Sequence, residues 1–176
     1  MLIVAAFSRY EEALSWAKAQ AAAAWGPPAL ESPRFDFTET DYYTATMGTN
    51  LKKVFWAFPQ LISPERLVEI KLRTNQWEEE YAAAKRHIEP RPLNLDPGYL
   101  TLGKLVLAST KDFAHRVYLS QGIFAEVTLQ YKHHSWRPYE YTFADYRRQD
   151  YHQFFSLCRE TLKKMRSSET GIVPEI

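Results

Sequence analysis

Two short runs, Leu2–Phe7 and Val54–Phe58, are apolar at every position. Strands of that kind belong in the interior of a sheet, because an edge or a solvated face would leave half of them in water. Each run is followed by a segment with helical spacing. After the first, Ser8-Arg9-Tyr10-Glu11 fits a capping box, and Tyr10, Ala13, Leu14, Ala17 and Ala21 recur until Gly26-Pro27-Pro28 stops the helix. After the second, Ser63 is the expected N-cap with Pro64 at the first helical position, and Leu67, Ile70, Thr74, Trp77 and Tyr81 form the buried stripe. Between the two units, Phe35 and Phe37 alternate with Asp36 and Thr38, as in a strand. The order strand, helix, strand, strand, helix, with a further strand due, is that of a ferredoxin-like split βαβ layout.

In the second half, Asn94-Leu95-Asp96-Pro97-Gly98-Tyr99 reads as a turn and Leu105–Ala108 as a buried strand. His115–Ser120 and Ile123–Tyr131 form a hairpin across Gln121-Gly122. With a two-residue loop, His115 faces Thr128 and Val117 faces Glu126, while Arg116 points to the other side of the sheet. The last helix is expected from Asp150, with Gln153 completing a capping box and Tyr151, Phe154, Phe155, Cys158, Leu162 and Met165 on its buried stripe. The expected fold is therefore α+β. It is a single two-layer domain over residues 1–166, mostly antiparallel sheet with helices packed on one face. A ferredoxin-like core carries an added hairpin and a C-terminal helix, and residues 167–176 form a loose tail.

Composition excludes several function classes. Against 21 acidic residues stand 22 basic ones, a net charge of +1, which argues against a uniformly basic nucleic-acid binder. The charge is uneven, however: residues 1–103 carry −2 and residues 104–166 carry +5. The second half is thus the expected anion-facing surface. A single cysteine excludes an intramolecular disulfide, and on an apolar helical stripe Cys158 is expected to be inert. There is no phosphate-binding glycine loop and no dinucleotide fingerprint. Thr110-Lys111-Asp112 lacks the residue that would complete a guanine-reading motif, so no GTPase is expected. The two histidines His133-His134 would point to opposite faces of a strand, and no metal site is predicted from them. No leader or membrane-spanning segment is evident, which suggests a cytoplasmic protein.

Several segments resemble one family. They are Asn94–Tyr99, Lys104–Ala108, Thr110–Asp112, His115–Leu119, Gly122–Leu129 and Asp145–Arg147, together with Phe37, Asp41-Tyr42-Tyr43, and Lys71 with Thr74-Asn75. In these the chain is similar to the bacterial domain-of-unknown-function family 4416. The resemblance spans nearly the whole chain and implies one domain; it brings no activity and no cofactor with it.

The candidate site is the hairpin with its flanking loops. Glu126 and His115 are the expected acid–base pair, since a carboxylate and an imidazole on rigid strands tune one another. Lys111, Arg116 and Arg147 would hold an anion, Thr128 lies beside Glu126, Asn94 would bind the ligand, and Asp96 would act as general base or orient the ligand or a metal. Lys71 and Asn75 lie beside the helical stripe and could point into the same cleft, with Glu78 one turn on. The functional expectation is binding of an anionic, phosphate-bearing, nucleotide-like small molecule with acid–base chemistry. The rival readings are an RNA-binding or protein-partner module built on Tyr118, Tyr131, Trp136, Tyr139 and Tyr141, and an assembly protein whose polar residues serve folding alone.

Overall fold

The computed structural model describes residues 1–170, the side chains of 168–170 excepted. The first apolar run becomes β1 (Leu2–Ser8), buried at every position. Helix α1 (Glu11–Trp25) follows, then the short strands β2 (Leu30–Glu31) and β3 (Phe35–Asp36) and a single helical turn, α2 (Thr44–Met47). The second run becomes β4 (Lys52–Phe58), and a 3-10 turn at Pro64–Arg66 leads into α3 (Leu67–Ala83). Strands β5 (Asn94–Leu100), β6 (Lys104–Ser109), β7 (Val117–Ser120), β8 (Ile123–Lys132) and β9 (Ser135–Pro138) complete the sheet, and α4 (Gln149–Thr170) closes the described chain.

The nine strands form one open sheet in the order β2-β4-β1-β5-β6-β8-β7, with β3 also on β4 and β9 also on β8. Every pairing among the described residues is antiparallel. Strand β1 lies between β4 and β5, the position that an all-apolar strand requires. Its even residues, Leu2, Val4 and Ala6, pack with Val54, Trp56 and Phe58 under α1 and α3, which share that face. This is the split βαβ arrangement that the element order predicts. The alanines Ala13, Ala17 and Ala21 let α1 sit close to the sheet. The odd residues Ile3 and Ala5 join Phe55 and Ala57 beneath Tyr151, Phe154, Phe155, Cys158 and Leu162 of α4. The added C-terminal helix thus covers the other face. Burial there pushes the Cys158 thiol up to about 12, so it is inert.

Four local expectations are corrected. Asn94–Leu100 is a strand and not a turn. Its outer edge is unpaired from Asn94 to Pro97, because β6 pairs only Gly98–Leu100, so the missing Pro97 N–H breaks no ladder there. Neither capping box forms: the Ser8 hydroxyl donates to Pro92 O at 2.6 Å and accepts from the Tyr10 amide, while Asp150 binds its neighbour's amide and Arg148. His133 and His134 are not strand residues; both have positive φ and make the two-residue turn between β8 and β9. Finally, α4 runs to Thr170, so residues 167–170 of the expected loose tail are helical, and 171–176 lie outside the described residues.

The hairpin register also changes. Gln121 and Gly122 both take positive φ, as a tight two-residue turn demands, and Ser120 pairs Ile123. An irregularity at Leu119 then shifts the register by one, so that Tyr118 faces Phe124 and Val117 faces Ala125. A one-residue slip exchanges the two faces. Continued one residue beyond β7, it brings Arg116, expected on the opposite side, onto the face of Glu126, and the two side chains meet at 2.7 Å.

Candidate functional site

Strands β5 and β6 pair at Gly98–Leu107, Tyr99–Val106 and Leu100–Leu105, and there the pairing ends. Strand β6 continues along β8 to Ser109, whereas β5 continues along β1 to Asn94. The sheet therefore forks. Gly98 stands at the fork, where a Cβ would lie 2.2 Å from Val106 O, so only glycine permits the approach. A cleft of about 840 Å3 opens beyond it, lined by residues of both arms and roofed by α3 and the segments around Tyr42 and Phe143.

Register explains which side chains meet. Directly paired residues of an antiparallel sheet share a face. Lys53, Phe7 and Asn94 form one such row, and Phe55, Ala5 and Asp96 the next. On the other arm Glu126 pairs with Leu107, which pairs with Gly98. All of these project on the side of α4.

On the β5 arm, the open edge leaves the Leu95 N–H and C=O without a strand partner. Side chains of α3 supply both: Glu78 accepts from Leu95 N at 2.7 Å, and Lys71 Nζ donates to Leu95 O at 2.8 Å. Lys71 also reaches Asp96 Oδ1 at 3.3 Å, and Asn94 Nδ2 donates to Asp96 Oδ2 at 2.8 Å. Arg91 joins Glu78 at 3.0 Å and donates to Asn94 Oδ1. Burial works against the ionised form of Asp96, but Lys71, Lys53 and the Asn94 amide outweigh it and hold its pKa below the ordinary value. At Glu78 burial wins over Lys71 and Arg91, and the pKa is raised. The side chain of Asp96 is 30% exposed, toward the cleft.

On the β8 arm, Glu126 is 3% exposed. Its Oε2 accepts from Arg116 Nε at 2.7 Å and lies 3.2 Å from His115 Nε2, and Thr128 Oγ1 donates to Oε1 at 3.1 Å. Arg116 in turn donates to Ser109 Oγ and Lys111 O. The floor holds a third pair, Lys53 with Asp145 Oδ2 at 2.6 Å, 2% and 5% exposed. Rings surround that ammonium: Tyr146 at 4.4 Å, Phe37 at 5.1 Å, and Phe7 and Phe55 at 5.5 Å. At the mouth Lys111 Nζ donates to the Tyr42 hydroxyl at 2.9 Å and lies over its ring.

Of the residues singled out in the sequence, Glu126, Asp96, Lys111, Arg116, Asn94, Lys71 and Asn75 line this cleft. His115 and Thr128 stand behind Glu126 and orient it; the His115 ring is stacked on Tyr141 at 4.3 Å. Arg147 lies elsewhere, binding the carbonyls of Tyr139, Glu140 and Thr142. Asp145 pairs with Lys53 and not with Arg148, which takes Asp150 and Glu39. Sequence reasoning overlooked Lys53 and Arg91. The signal for Lys53 was available, since a lysine abutting a five-residue apolar run continues a buried strand and must find a buried partner. Among the described residues no three His, Cys, Asp or Glu side chains are grouped to hold a metal ion, and no helix is long and apolar enough to cross a membrane.

No curated protein and no solved structure matches the chain. The family described as "Domain of unknown function (DUF4416)" matches residues 1–162, which take in both arms of the fork and all but the end of α4, and the chain belongs to that family.

Proposed function

We propose that the forked cleft binds an anionic, phosphate-bearing small molecule and that Asp96 and Glu78 equip it for proton transfer. The observation that carries this reading is the pairing of charges. Lys53, Lys71, Arg91 and Arg116 each engage a carboxylate, whereas Lys111, at the mouth, is bound by no carboxylate among the described residues. The Tyr42 hydroxyl, with its pKa lowered by the Lys111 hydrogen bond and by Lys111 and Arg91 charge, marks a positive entrance. An anion arriving there meets an ammonium that has charge to give. Deeper in, the pKa values of two carboxylates are pushed apart, Asp96 down by Lys71 and Lys53 and Glu78 up by burial, the split that general acid–base chemistry uses. Glu126, saturated by three side chains, serves this reading by holding Arg116 in place.

Support for RNA binding is weaker. Trp136 is buried, Tyr131 is covered by Arg159, and Tyr139, Tyr141 and His115 stack on one another. Of the five aromatic residues in that reading, Tyr118 is the exposed one.

Thermal unfolding against inorganic phosphate, nucleotides and sugar phosphates tests the reading. A ligand at 100 times its dissociation constant adds about 2.7 kcal/mol, which for a chain of this size raises Tm by roughly 5–10 °C. Lys111→Ala should weaken the binding about tenfold or more, as loss of a charge-assisted hydrogen bond does. A ligand held equally well by Lys111→Ala would refute the assignment.

A further inference from the structure

Four buried polar atoms lack a hydrogen-bond partner among the described residues: the indole N–H groups of Trp56 and Trp136 and the hydroxyls of Tyr146 and Tyr151. Of these residues Tyr146, 3% exposed, is the one that lines the cleft. Its ring is fixed, lying parallel to Phe155 and under the Lys53 ammonium. Asp145, Asp96, Glu126 and Lys53 line the cleft with it. Native proteins seldom keep a buried hydroxyl unpaired without a use for it.

Two acceptors line the same cleft. Asp145 spends Oδ2 on Lys53, and no side-chain bond engages its Oδ1. Asp96 receives one bond on each oxygen and remains partly open to the cleft. A carboxylate can accept about four hydrogen bonds, so both have capacity left. Yet each of these carboxylates, and Glu126 of the other arm, is already matched by a buried cation: Asp145 by Lys53, Asp96 by Lys71, Glu126 by Arg116. The floor thus offers acceptors and one hydroxyl without net charge. An ammonium or guanidinium group would gain little there, whereas neutral hydroxyls would pair fully.

We propose that Asp96, Asp145 and the Tyr146 hydroxyl form an inner subsite for the hydroxyls of a sugar or polyol, whose phosphate rests at Lys111. This rests on the anion-binding reading above and narrows it to phosphorylated sugars and polyols.

The test compares inorganic phosphate, a set of pentoses and hexoses, and their phosphates, titrated calorimetrically into the wild-type chain and Tyr146→Phe. At least one sugar phosphate should bind the wild type tenfold or more tightly than phosphate, and Tyr146→Phe should erase that margin while phosphate affinity stays unchanged. The ligand-free Tm of Tyr146→Phe should equal or exceed that of the wild type, because the lost oxygen has no partner to miss. A clear fall in that Tm, or a margin that survives the substitution, overturns the subsite and leaves anion binding standing. Equal affinity of the wild type for phosphate and every sugar phosphate does the same. A free sugar that binds, with no gain from its phosphate, supports the subsite and refutes the anion site. If no probe binds the wild type, both fall.

Discussion

Replacing Lys53 by methionine isolates what a buried charge pair does for this fold. Methionine keeps the length and most of the volume of the side chain, so the ring cage of Phe7, Phe37, Phe55 and Tyr146 stays filled. What is lost is the partner of Asp145, whose side chain is only 7% exposed. Breaking a buried pair from one side costs about 3–5 kcal/mol, because a buried charge remains uncompensated. At about 2–4 °C per kcal/mol for a chain of this length, Tm should fall by roughly 6–20 °C. The double variant Lys53→Met/Asp145→Asn removes both charges and should recover most of the loss, to within about 1–2 kcal/mol of the wild type. Urea unfolding of the wild type, Lys53→Met, Asp145→Asn and the double variant at low and high salt measures the cycle. Since the pair is shielded from solvent ions, its coupling should be insensitive to salt. A loss below about 1 kcal/mol in Lys53→Met would place the pair in water, and the account of the cleft floor would be wrong.

Three further outcomes follow from the same geometry. Gly98→Ala puts a Cβ 2.2 Å from Val106 O and 2.7 Å from Leu107 Cδ2, so the arms of the fork must part. A loss of about 3 kcal/mol or more is expected in urea unfolding, and a neutral alanine would mean that β5 and β6 are not so closely apposed. The acid limb of stability should carry Asp96: its folded pKa lies below the ordinary 3.8, so its contribution is complete above that value and disappears as pH falls through the depressed one. Asp96→Asn should flatten that limb. Glu78 has the opposite sign, losing stability as pH rises from its ordinary 4.5 through its raised folded value, so Glu78→Gln should gain relative stability toward neutral pH. Parallel pH profiles for these variants and the wild type would contradict both assignments.

The interior strands and the stripes of α1, α3 and α4 were legible because burial imposes a period, and period is what a sequence displays. The stripe Leu67, Ile70, Thr74, Trp77 and Tyr81 is buried throughout. Local chemistry held at the Gln121-Gly122 turn and at the Gly26 helix stop, but elsewhere tertiary structure overrode it. Asp96-Pro97-Gly98 carries turn residues, but Pro97 sits on an unpaired edge and Gly98 is required by a neighbouring backbone. The Ser8 hydroxyl, well placed for an N-cap, goes to Pro92, 84 residues away. The bulge at Leu119 leaves no mark in composition, yet it decides whether Arg116 and Glu126 meet.

The same distinction separates the residues of the cleft. A charge beside an apolar run announces that a partner exists, but Lys53 and Asp145 lie 92 residues apart, and only the folded sheet names the pair. Once the pairing of β5 and β6 stops at Gly98, the exposed N–H and C=O of Leu95 need a donor and an acceptor. Lys71 and Glu78 supply them, and their charges bring in Asp96 and Arg91. Much of the polar lining is therefore what a forked sheet requires in order to be stable. Lys111 and the Tyr146 hydroxyl stand outside that requirement: neither satisfies a backbone group, and neither answers a buried charge. Folding has no evident use for them. The case for a ligand rests on these two, one at the mouth and one at the floor of the same cleft.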